Sequence, residues 1–185
     1  MEHGKDPSGS PLQAPCSLLT AGLRMPRKSV VIGVGNRLLK DEGVGIHVLQ
    51  ALEKKTLPPD VHLFDGGICG IGLLDFFQGA SKALLIDAAD MNRKPGTVLR
   101  FTPETLRAQA REIKFSTHDI GVAEVLELAK ALGQSPEEVV IIGIQPKEID
   151  WGTELTPEVQ ASIPKVLQII REEITRGQDA IKNSA

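Results

Sequence analysis

The chain has 185 residues, 41% of them hydrophobic, and a formal charge of −3. That length fits one domain with a sizeable core, and the acidic balance excludes a general nucleic-acid binder, which needs a basic face. Aromatic residues make up only 3% of the chain, so the core must be aliphatic, as in sheets buried on both faces.

Residues 1–27 are rich in glycine, proline and serine and lack periodicity, which predicts a disordered leader whether translation starts at Met1 or Met25. Pro15 interrupts a weakly apolar stretch there, against a cleaved signal peptide. Residues 29–34 are apolar and β-branched and predict a buried strand running into Gly33-Val34-Gly35. Residues 44–55 repeat apolar side chains at helical spacing and close on lysines. A second strand is predicted over 61–64, leading into Asp65-Gly66-Gly67, and a short helix over 71–77. Residues 82–87 and 97–101 predict two further strands. Thr102-Pro103 has the form of a helix N-cap with proline at the first helical position. A helix over 119–132 and a strongly apolar strand over 139–144 follow. Thr156-Pro157 then caps one long final helix reaching position 174.

Strands alternating with helices predict a single three-layer α/β domain, with a mainly parallel twisted sheet between helices. Its bounds are 28–176, followed by a flexible tail over 177–185. Two cysteines, Cys16 and Cys69, without a CxxC pattern, point to a reducing, cytoplasmic setting and no disulfide framework. No apolar run approaches the roughly 20 residues needed for membrane insertion.

Right-handed crossovers put the strand C-termini of such a sheet on one edge, where α/β proteins bind ligands. Glu42, Asp87 and His118 meet there. Two carboxylates and an imidazole can bind a divalent metal or share protons. Each also has a plainer reading. Glu42 can favour a helix dipole, an ambiguity Asp41 shares. Asp87, ending a buried strand, can hydrogen-bond loop amides. Asp90 lies further into its loop, and Asp65 reads as a turn former. Among the other histidines, His3 is in the leader, His47 is a solvated helix residue and His62 a strand-face residue. Cys69 has no orienting partner and reads as a packed or loop cysteine. Gly33-Val34-Gly35 resembles the opening of a dinucleotide fingerprint, but Leu38 stands where the third glycine belongs. Asp41 and Glu42 would also repel a pyrophosphate.

Several segments, in order, resemble the maturation endopeptidases of nickel–iron hydrogenases. They are Gly33-Val34-Gly35-Asn36, Leu39-Lys40-Asp41-Glu42-Gly43-Val44-Gly45, Asp65-Gly66-Gly67, Leu85-Ile86-Asp87-Ala88, Thr117-His118-Asp119-Ile120-Gly121 and Gly143-Ile144-Gln145-Pro146, with Gly152 and Leu155-Thr156. The resemblance implies a compact α/β domain and an endopeptidase that removes the C-terminal extension of the hydrogenase large-subunit precursor after nickel insertion. It assigns both nickel contact and catalysis to Glu42, Asp87 and His118. No intrinsic cofactor is implied; nickel is carried by the substrate and bound transiently. Hydrolysis is then aspartic-type or nickel-assisted. Partners are the precursor and other hydrogenase assembly proteins, with neither nucleic acid nor membrane. The same three residues would also suit a non-catalytic nickel-binding chaperone. Trp151, in the loop after the last strand, either packs or touches the precursor.

Overall fold

The structure, a computed structural model, describes residues 28–68, 70–109, 113–115 and 122–182. The leader expected over 1–27 lies outside the described residues, as do Cys69 and His118. In chain order the elements are β1 (Lys28–Val34), a 3-10 turn (Lys40–Gly43), α1 (Val44–Glu53), β2 (Val61–Gly67), a 3-10 turn (Gly70–Gly72) and α2 (Leu73–Phe77). There follow β3 (Ala80–Asp90), β4 (Val98–Phe101), α3 (Pro103–Ala108), β5 (Lys114–Phe115), α4 (Val122–Ala131), β6 (Glu138–Ile144), α5 (Pro157–Gln160) and α6 (Ile163–Lys182).

The sheet runs in the order β2-β1-β3-β6-β4. The pairs β1–β2, β1–β3 and β3–β6 are parallel, and β4 closes one edge antiparallel to β6. Side chains alternate between the two faces. Val30, Ile32, Leu85 and Ile141 pack with α2, α3 and α4; Val31, Leu84, Ile86 and Ile142 pack with α1, α5 and α6. Each such aliphatic side chain, fully buried, contributes about 1.5–3 kcal/mol. Because both faces are covered, the strands read as continuous apolar runs. No helix among the described residues is long and apolar enough to cross a membrane.

Three local departures from the sequence reading have physical causes. The two-residue strand β5, antiparallel to the end of β3, is too short to carry a periodic signal. The final helix is two helices, because Pro164 has no amide hydrogen to give the carbonyl of Gln160 and its ring crowds that carbonyl. Thr156 makes no side-chain cap; its hydroxyl is donated to Asp41 instead. By contrast Thr102 caps α3 as expected, in a reciprocal box with Thr105. The backbone of α6 runs to Lys182.

A buried charge cluster fastens α6 to the sheet. Lys82, 4% exposed, donates to the Glu173 carbonyl and to Glu173 Oε2, both at 2.8 Å. It also pairs with Glu138 at 2.9 Å. Glu173 takes Arg100 Nε at 2.7 Å and Arg176 Nη1 at 3.2 Å. Burial pushes the Glu173 carboxyl up, but the hydrogen bonds from Arg100 and Lys82 outweigh it and hold the group below its ordinary value of 4.5.

Candidate active site

Glycine sets how closely the first loop sits on the sheet. A Cβ on Gly45 would lie 2.4 Å from the carbonyl oxygens of both Ile86 and Val34. At Gly35, where φ is +128°, a Cβ would lie 1.8 Å from the Glu42 carbonyl oxygen. These glycines therefore serve backbone contact, and α1 begins directly on the ends of β1 and β3.

That contact draws Glu42 and Asp87 to the same edge. Glu42 is fully buried on the turn that crosses the strand ends, and this turn packs against β3. Asp87, also fully buried, pairs with Gly143 of β6 and is in phase with Leu85 and Ala89, on the face that α2–α4 cover. The third predicted residue, His118, falls outside the described residues. The described elements on either side of it are β5, whose Phe115 pairs with Ala89, and α4, which starts at Val122. Among the described residues no group of three His, Cys, Asp or Glu side chains could hold a metal ion.

Asp41 and Glu42, unranked by sequence, separate clearly. Asp41 is fully buried, and its Oδ1 accepts the Thr156 amide at 2.7 Å. Its Oδ2 accepts the Thr156 hydroxyl at 2.8 Å and the amides of Lys147 and Glu148 at 2.9 and 3.0 Å. A carboxylate so engaged is an anchor: it fixes the loop after β6 against the loop after β1.

Gln145 is a second anchor, which sequence reasoning missed as a structural residue. Its Oε1 accepts the amides of Met91 and Arg93 at 2.7 and 3.1 Å, and its Nε2 donates to Asp90 Oδ1 at 3.2 Å. It joins the loops that follow β3 and β6, just beyond Asp87. The only hint was a polar side chain ending an apolar strand. Asp90, expected in a loop, is the last residue of β3 and pairs with Lys114 of β5, while Asp65 accepts the Gly67 amide at 2.9 Å, as a turn former does. His47, expected in solvent, is half-buried with Nε2 3.1 Å from the Thr153 carbonyl oxygen. His62 is exposed on β2. Trp151 is 75% exposed, which removes a packing role.

Known proteins share this sequence and fold. The family model described as hydrogenase maturation protease matches residues 46–173. The Hydrogenase 2 maturation protease of Escherichia coli is 33% identical over 159 residues, covering 84% of this chain and 96% of that protein. The hydrogenase expression/formation protein HoxM of Cupriavidus necator is 37% identical over 141 residues, covering 75% of this chain and 70% of its own. Among solved structures, the Escherichia coli hydrogenase maturating endopeptidase HybD superposes with a TM-score of 0.73 at 31% identity, over 81% of this chain and 93% of that one. The [NiFe] hydrogenase maturation protease HybD of Thermococcus kodakarensis gives 0.67 at 29% identity, over 80% and 99%. On a family model spanning residues 46–173 and relatives matched over most of both chains, the chain belongs to the hydrogenase maturation protease family.

Proposed function

We propose that this protein is the endopeptidase that removes the C-terminal extension of a nickel-loaded hydrogenase large-subunit precursor, with Glu42, Asp87 and His118 as its working groups. The observation that carries this reading is the pair of fully buried carboxylates, Glu42 and Asp87, on one sheet edge of a chain from this family. Buried acids persist only where hydrogen bonds or charges compensate them, and the strand ends of such a sheet are where α/β proteins bind ligands. The tether of β5 to the end of β3 supports His118 as the third member, since Phe115 pairs with Ala89, close to Asp87.

Nickel belongs to the substrate in this reading. Two carboxylates and an imidazole are adequate for transient contact, while thiolates of the precursor keep the metal. Contact with nickel then positions the scissile peptide, turning loading of the metal into a condition for cleavage. Water adds to the peptide carbonyl, a carboxylate of the pair takes its proton, and that proton passes to the leaving amine as the C–N bond breaks. Cytoplasmic action fits a substrate that is matured by assembly proteins.

The test is incubation of purified protein with precursor, with and without nickel, read by mass spectrometry. Only the nickel-loaded form is shortened. A bound but uncut precursor would instead favour a nickel-binding chaperone, and equal trimming of both forms would remove the role of the metal.

A further inference from the structure

Beyond Glu42 and Asp87, the same edge carries large apolar side chains that the described fold leaves in solvent. Leu38 is 55% exposed, Ile149 48% and Trp151, the only tryptophan, 75%. Single exposed leucines are ordinary on protein surfaces. These residues differ because their two loops are joined into one piece. Gly152 N donates to the Leu38 carbonyl and Lys40 N to the Gly152 carbonyl, both at 2.9 Å, forming a parallel bridge between Leu39 and Gly152. Leu38 and Trp151 thus each stand immediately before the bridge, on neighbouring segments. The Asp41 anchor holds both loops from below, and Lys40 pairs with Glu148 at 2.5 Å beside them.

We infer that this two-loop platform docks an apolar stretch of the precursor chain next to the scissile bond. The inference rests on the protease reading and adds where the substrate is gripped. Two observations identify the occupant. Leu38 and Glu42 belong to the same short loop, so a chain that reaches the acids passes over the platform. Of the cations on these two loops, Lys40 is engaged with Glu148 and Lys147 with Glu158, while Arg37 stands exposed beside Leu38, so the platform offers mainly apolar contact with one cation at its margin. A rigid, solvent-facing tryptophan is the side chain that most often anchors such contacts, and a preformed platform loses little entropy on docking.

The test uses the full chain and nickel-loaded precursor. In an Asp87→Asn background, which keeps the precursor uncut, adding Trp151→Ser or Leu38→Ser raises the dissociation constant at least about tenfold, equal to about 1.4 kcal/mol. With Asp87 restored, the same substitutions raise KM by a similar factor and leave kcat within about twofold. Trp151→Phe retains most of the affinity. Fluorotryptophan incorporated at position 151 changes its fluorine resonance when precursor is added. Unchanged affinity and KM in both serine variants, or a fall in kcat at constant KM, overturns the docking role while the protease reading stands. Wild-type protein that fails to cut the precursor overturns both.

Discussion

Thr156 gives both its hydroxyl and its amide to Asp41, at 2.8 and 2.7 Å, across 115 positions of chain. This contact, with the Lys147 and Glu148 amides, makes the loops after β1 and β6 a single unit beside Glu42.

Asp41→Ala leaves buried donors without an acceptor, so it costs at least about 3 kcal/mol, at roughly 1–3 kcal/mol for each orphaned group. Thr156→Val removes the hydroxyl alone and costs about 1.5–3 kcal/mol, the range for hydrogen bonds to a charged group. Urea unfolding of both variants checks the order. A Thr156→Val loss equal to that of Asp41→Ala would contradict the anchor.

Glu42→Gln and Asp87→Asn behave differently from Asp41→Ala. Each is nearly isosteric, so the fold persists, and weakening the carboxylate's bond to its buried partner costs no more than about 1.5–3 kcal/mol. Trimming of nickel-loaded precursor falls at least about 10²-fold, the lower limit for loss of a proton-transfer group. His118→Ala gives the same fall. Timed gel assays of product, alongside thermal melts, separate lost chemistry from lost fold.

Glu173 ties acid stability to the cluster under α6. Its folded-state carboxyl is held below 4.5, so its contribution is fully present above that pH and is lost as pH falls through the lower folded value. Glu173→Ala removes the buried partner of Lys82 and Arg100, leaving Lys82 only Glu138 and a backbone carbonyl, and costs about 3 kcal/mol near neutrality, the lower end for breaking a buried pair. The stability gap between wild type and Glu173→Gln narrows as pH drops below 4.5. Denaturant titrations at a series of pH values measure that gap; a constant gap would refute the linkage.

Gly45→Ala puts a methyl 2.4 Å from two backbone carbonyl oxygens, neither of which can rotate away. The cost reaches or exceeds the upper end of the about 1–3 kcal/mol typical of overpacking. Gly79→Ala, with open space around its Cβ but φ of +69°, bears conformational strain alone and is the milder change. Melting temperatures of the two variants report the difference.

The strands β1, β3 and β6 were legible because burial on both faces writes itself as runs such as Val139-Val140-Ile141-Ile142. Their shared edge followed from topology, and Glu42 and Asp87 both lie on it. The same logic does not see pairings across many residues. Nothing local distinguishes Asp41, which accepts backbone amides from a distant loop, from Glu42 beside it. Thr156 carries the signature of an N-cap, yet tertiary contact redirected its hydroxyl. Pro164 was visible in the chain, but helical periodicity on both sides concealed the break it causes. The glycine pattern Gly33-Val34-Gly35 was informative once read as close approach of backbones rather than as a phosphate cradle.

The break at Ala161 and Ser162 also bears on how this edge answers to strain. The short helix that carries Val159 hangs from the Asp41–Thr156 clasp, while α6 is moored separately through Glu173 and Lys82. A load on the loop after β6 therefore meets the Asp41–Thr156 clasp before it reaches the separate mooring of α6, with Ser162 bonding both helices at the joint.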